Sequence, residues 1–201
     1  MIKNLLKNRE CDVKKCGESI LLFDSRAVYP EDYIVIEKEN TSLIYTVAEV
    51  HKEEKIIKVM TLKEKEAAIY GFVLYKRLFE NIVDNQSINT LYKYIYVDDF
   101  DGALNYCTRV FDDSVYSIGN ENADKISFIK KSNTADVKFD GVYIVENVSI
   151  KRGCVVFYRY CSKLQYILLF CNMLKNDFGL NINYKNIIRL YIFGVLCTDT
   201  A

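Results

Sequence analysis

Apolar and polar positions alternate along the first third of the chain and then change period. Residues 19–23 form a short apolar run, and Tyr33-Ile34-Val35-Ile36-Glu37 after Pro30 has the pattern of a strand. Residues 43–50 and 55–62 are rich in β-branched and apolar side chains. They flank the charged His51-Lys52-Glu53-Glu54, as in a hairpin with a polar turn. Together these segments predict an antiparallel meander. After Lys63-Glu64-Lys65-Glu66, the apolar residues Ala68, Phe72, Tyr75, Phe79 and Ile82 recur at helical spacing and predict an amphipathic helix near residues 63–84. Charges cluster at its start and at Lys76-Arg77. Gly71 lies inside it at a cost of about 1 kcal/mol relative to alanine, which suits a close approach to a sheet.

The second half is more mixed. Residues 92–97 read as a strand, and Asp98-Asp99 then suits the cap of a helix running through Phe111. Further strands are expected at 115–118, 126–130, 137–139 and 142–150, with a loop at 119–123. Lys151-Arg152-Gly153 is expected to turn the chain into a buried helix near 158–176, ended by Asn176-Asp177 and Gly179. Residues 184–196 fit helix or strand equally. Strands, helix, strands, helix is the order of an α+β fold with a mainly antiparallel sheet, not of a regular βαβ pattern. A single domain over residues 1–201 is expected, with 1–16 as an exposed basic arm.

Composition narrows the class. Half of the residues are hydrophobic and 27% are charged, which excludes a disordered or collagen-like chain. Lys plus Arg and Asp plus Glu are 27 each, and this balance argues against a dedicated duplex nucleic-acid binder. The seven cysteines are an odd number, and several sit inside apolar runs, as in Cys154-Val155-Val156-Phe157. That placement suits small buried hydrophobes in a reducing compartment, so a cytoplasmic location is expected, with no membrane partner. Cys11 and Cys16 have four residues between them, but no second Cys or His pair lies near in sequence, and neither a metal nor a cofactor is expected. Sixteen tyrosines are many for an aliphatic core and suit core edges and interfaces.

The net charge of zero hides an asymmetry. Between residues 98 and 124 lie Asp98, Asp99, Asp101, Asp112, Asp113, Glu121 and Asp124 against the single base Arg109, whereas bases dominate from Lys151 onward. Tyr96, Tyr106 and Tyr116 are interspersed with or adjoin these acids. Carboxylates mixed with tyrosine suit a surface that steers and holds a basic partner.

Candidate chemistry is sparse. The segment Tyr94-Ile95-Tyr96-Val97-Asp98-Asp99-Phe100-Asp101-Gly102-Ala103-Leu104 resembles the first motif of haloacid-dehalogenase-type phosphatases. The resemblance implies Asp99 as nucleophile and Asp101 as acid/base, both helping to hold magnesium. The same residues also suit a plain helix cap with Gly102 in the first turn, and that is the preferred reading. His51 is the only histidine and suits a solvated hairpin turn better than a catalytic base. No Walker A or G-x-G-x-x-G loop is present.

The function expected from these features is non-enzymatic. Its concrete form is a bacterial immunity-type inhibitor that occludes the active site of a basic toxin domain through the acidic, tyrosine-containing segment. The alternative is a magnesium-dependent phosphotransfer enzyme centred on Asp99 and Asp101.

Overall fold

The computed structural model describes residues 11–26, 31–39, 43–80, 82–178 and 183–196. The fold is α+β, as the sequence predicts. The chain divides into two compact units, residues 1–80 with 178–201, and residues 81–177. Residues 1–10 of the expected basic arm lie outside the described residues. Its remainder is not an arm, because Cys11–Cys16 is a strand, β1, paired antiparallel with β2, Ser19–Asp24.

In the first unit, β1 and β2 continue through β3 (Asp32–Lys38), β4 (Tyr45–His51) and β5 (Glu54–Thr61) as a meander in sequential order. The β4–β5 turn is formed by Lys52 and Glu53, both at positive φ (46° and 71°). Two left-handed residues give a two-residue hairpin loop the twist its strands require. His51 stands at the end of β4, where its Nδ1 hydrogen-bonds the exposed Asp32 carboxylate on β3. Helix α1, Glu64–Phe79, packs on one face of the sheet. A Cβ on Gly71 would lie 2.6 Å from Ile36 Cδ1, so the missing side chain is what allows the approach. Lys76, one of the charges clustered toward the helix end, is only 2% exposed; its stem lies in the core and its ammonium pairs with Glu80. Residues 184–196, ambiguous in sequence, form helix α5 at Tyr184–Phe193, which packs against α1. It ends at Gly194, at φ 75°, where a Cβ would lie 2.7 Å from the Arg77 guanidinium.

In the second unit two helices precede the sheet: α2, Asn85–Tyr96, and α3, Phe100–Val110. Residues 92–97 are therefore not a strand. Their aromatic and β-branched content has strand character, but Ile88, Leu91 and Ile95 recur at helical spacing and are buried, and Asp84 caps the start. The sheet runs β6 (Tyr116–Ile118), β7 (Ile126–Lys130), β8 (Thr134–Phe139) and β9 (Val142–Ser149). Among the described residues, only the β6–β7 pair of this sheet is parallel.

Helix α4, Ile150–Phe178, begins eight residues before the predicted start at 158 and continues through Asn176 and Asp177, expected to stop it. Lys151-Arg152-Gly153 forms its first turn, not a loop. Ser149 Oγ accepts the Arg152 N–H at 3.3 Å and so caps it, while the cations at its N-terminus oppose the helix dipole and disguise the start. Cys154, Phe157, Tyr158, Cys161 and Leu164 form its buried stripe, and Phe157 meets Phe128 of β7 edge-on at 5.5 Å. Gly153 packs where a Cβ would lie 2.9 Å from Ala135 Cβ. Among the described residues, no helix is long and apolar enough to cross a membrane.

Candidate functional site

The acidic segment begins at the α2–α3 connection, whose geometry follows from its hydrogen bonds. The Asp98 N–H donates to Ile95 O at 3.2 Å and the Asp99 N–H to Tyr94 O at 3.0 Å. This pair of bonds is a Schellman motif, which satisfies the last carbonyls of α2 and requires a left-handed residue. Asp98 is that residue, at φ 56°, in a place where glycine is usual. Asp99 turns at once into the N-cap of α3, its Oδ1 accepting the Gly102 N–H at 2.8 Å. The cap that the sequence predicts is thus present.

This tight connection projects two side chains. Tyr96 is 76% exposed and Val97 73% exposed, in a turn whose N–H groups at residues 97–100 are all hydrogen-bonded. Asp98, Asp99 and Asp101 flank them, all exposed. Two lysines border the group: Lys130 pairs with Asp101 at 3.2 Å, and Lys151 Nζ lies 5.6 Å from the Tyr96 ring centroid.

The remaining acids lie elsewhere. Asp112 and Asp113 follow the other end of α3, about 16 Å away for its 11 residues. That exceeds the roughly 8 Å over which exposed charges act in physiological salt. Asp112 Oδ1 accepts the Ser114 N–H at 2.9 Å, and hydrogen bonding to Ser114 holds its carboxyl below the usual range. Lys125, next to Asp124, reaches Asp113 O at 2.7 Å. Glu121 pairs with Lys138 at 2.7 Å. The seven acids are exposed, but they form separate groups and not one continuous face.

The tyrosines divide as well. Tyr106 is half-buried; its hydroxyl donates to Ser87 O at 3.1 Å and its ring stacks on Tyr158 at 6.3 Å. Tyr116 packs edge-on against Phe157 at 6.5 Å. Of the three candidates, Tyr96 alone projects into solvent. Sequence reasoning missed Val97, Lys130 and Lys151. The available signal was that Val97 ends an apolar run directly before two aspartates.

The segment resembling a phosphatase motif has a helix where that motif has a strand, and its two carboxylates are engaged by a backbone N–H and by Lys130. Among the described residues, no group of three His, Cys, Asp or Glu side chains is placed to hold a metal ion. Burial pushes the thiols of Cys107, Cys154 and Cys171 up to about 12, far from nucleophilic use. Comparison with known proteins finds no matching family model, no matching curated protein and no matching solved structure.

Proposed function

We propose that the protein is a non-enzymatic binding module of the cytoplasm, and that it acts as an immunity-type inhibitor of a basic partner domain. The observation that carries this reading is the Tyr96-Val97 projection, 76% and 73% exposed, set in a hydrogen-bonded turn among three carboxylates. An exposed tyrosine next to an aliphatic residue is costly to leave in water and is the kind of group that anchors interfaces. Its backbone is already ordered, so docking loses little entropy there. Asp98, Asp99 and Asp101 supply charge complementary to a basic partner, and nuclease toxins are basic because their substrate is polyanionic. The separate group at Asp112, Asp113 and Asp124 adds to the long-range attraction and raises the encounter rate. Four buried free thiols, Cys107, Cys154, Cys161 and Cys171, fit a reducing compartment.

The test is co-expression of the tagged chain with the product of the gene immediately upstream, followed by native mass spectrometry. A 1:1 complex with a basic partner, weakened by salt and by reversing Asp98, Asp112 and Asp113 to lysine, supports the reading. A lone chain, or a complex indifferent to both, overturns it.

A further inference from the structure

Helices α2 and α4 leave a groove between them within the second unit, of about 630 Å³, whose lining Tyr92 stands 6.2 Å ring to ring from Tyr96. This volume lies within the range of small-molecule sites. One wall presents Asn85, Asn89 and Tyr92, at spacings of four and three on α2, hence on one face. The other presents Arg159, Tyr160 and Lys163 of α4. Arg159 and Lys163 are also four apart, which places both cations on one side of the groove. Lys163 Nζ lies 4.8 Å from the Tyr160 ring centroid, over the aromatic surface.

Among the described residues, no carboxylate lines the groove. The nearest in sequence, Asp84, is occupied as the α2 cap; its oxygens accept Ser87 N–H at 2.8 Å, Ser87 Oγ–H at 2.6 Å and Gln86 N–H at 3.4 Å. Val83 and the buried Ile88 complete the lining. The groove therefore combines two cations, two aromatic rings and two side-chain amides.

We propose that this groove binds a phosphorylated small molecule bearing a heteroaromatic ring, of the size of a nucleoside monophosphate. Each part has a partner. The Arg159 guanidinium offers a planar fork to phosphate oxygens and Lys163 adds a second positive charge. Tyr92 and Tyr160 offer faces on which a planar base stacks. Asn85 and Asn89 each carry a donor and an acceptor, which match the mixed edge of a heteroaromatic base and have no counterpart on a phenyl ring. Phosphate is held here by side chains, in keeping with the absence of any glycine-rich phosphate loop from the sequence.

The test is isothermal titration of the full chain with AMP, GMP, CMP and UMP, with inorganic phosphate and phenyl phosphate as controls. At least one nucleoside monophosphate is expected to bind 1:1, about tenfold or more tighter than either control. Arg159→Ser with Lys163→Ser is expected to weaken that binding by about tenfold or more, with the far-UV circular dichroism unchanged. Tyr92→Leu, which retains bulk and helicity, is expected to weaken it too. The proposal is overturned if no monophosphate binds, if phosphate or phenyl phosphate binds as well, if binding appears only with an oligonucleotide, or if the charge-removing pair leaves affinity intact. The Tyr92 ring lies 6.2 Å from that of Tyr96, so only the Tyr92→Leu arm touches the inhibitor surface; the Arg159 and Lys163 arm on α4 leaves it untouched and separates failure of this proposal from failure of the inhibitor reading.

Discussion

Replacing Gly153 by alanine tests how α4 is seated on its sheet. The new Cβ would stand 2.9 Å from Ala135 Cβ and 3.1 Å from Phe128 Cε2, against an ordinary carbon–carbon separation of about 3.5–4.0 Å. Ala135 is fully buried and its Cβ is fixed to the β8 backbone, so no rotamer change relieves the overlap. The helix must retreat by roughly half an ångström or more, which loosens Phe157 against Phe128 and forfeits part of their dispersion energy. Overpacking of this kind costs about 1–3 kcal/mol, and a rigid neighbour puts the cost toward the upper end. Alanine's better helix propensity returns about 1 kcal/mol, leaving a net loss of about 2 kcal/mol. Gly71→Ala makes an instructive contrast. Its closest clash, at 2.6 Å, is with the terminal Cδ1 of Ile36, which can rotate, so a smaller loss of about 0–1 kcal/mol is expected. The assay is urea unfolding combined with hydrogen exchange of peptides from β7 and β8. Adding Ala135→Gly to Gly153→Ala should recover about 1 kcal/mol relative to the sum of the single changes. A Gly153→Ala protein as stable as the parent, or strict additivity with Ala135→Gly, would refute the close-packing argument.

Three further outcomes follow from the geometry. Asp136 is 3% exposed and its carboxylate is held by Lys131 at 2.8 Å and by the Asn147 N–H at 2.7 Å, so Asp136→Ala should cost about 2–3 kcal/mol in urea unfolding. The Lys131 hydrogen bond is the largest of the influences that lower the Asp136 pKa. Its stabilisation is therefore complete above the unfolded carboxylate pKa of about 4 and is lost as pH falls through the lowered folded value, which a pH series comparing parent and Asp136→Ala reads directly. Brief alkylation with iodoacetamide should label the exposed Cys16 and spare Cys107, Cys154, Cys161 and Cys171 until denaturant is added; early labelling of the four would contradict their burial. Asp99→Asn should keep the α3 cap and the melting temperature, whereas Asp99→Ala should lose about 1 kcal/mol. A phosphatase activity abolished by Asp99→Asn would favour the phosphotransfer alternative.

The strands β3 to β5 were legible because each shows β-rich composition and charged residues mark the β4–β5 turn. Helix α1 was legible from its 3.6-residue period, and Gly71 from its place inside that period. Asp99 announced its cap because carboxylates favour that position. Helix α2 was hidden because Tyr92 to Val97 carry strand propensity that tertiary burial of Leu91 and Ile95 overrides. The start of α4 was hidden by Lys151 and Arg152, unfavourable to the dipole, and by a glycine whose purpose is helix–sheet contact. Burial of Lys76 beside Phe72 and Glu80 depends on partners brought together by folding. The candidate surface was legible as composition but not as geometry. Sequence proximity put ten residues together, whereas α3 separates the acids into groups and packing turns Tyr106 and Tyr116 inward. Likewise, Arg159 and Lys163 gain meaning only opposite Asn85 and Asn89.

The most direct measurement of the inhibitor reading is the affinity of the co-expressed basic partner for the parent chain and for a Tyr96→Ala, Val97→Ser double variant. Both side chains are largely exposed, so the fold should be unchanged. Loss of an anchoring pair should weaken binding by about 2 kcal/mol or more, roughly thirtyfold, mainly through faster dissociation. Equal affinity and dissociation rate in the two proteins would show that the partner docks elsewhere and would contradict the assignment of this turn.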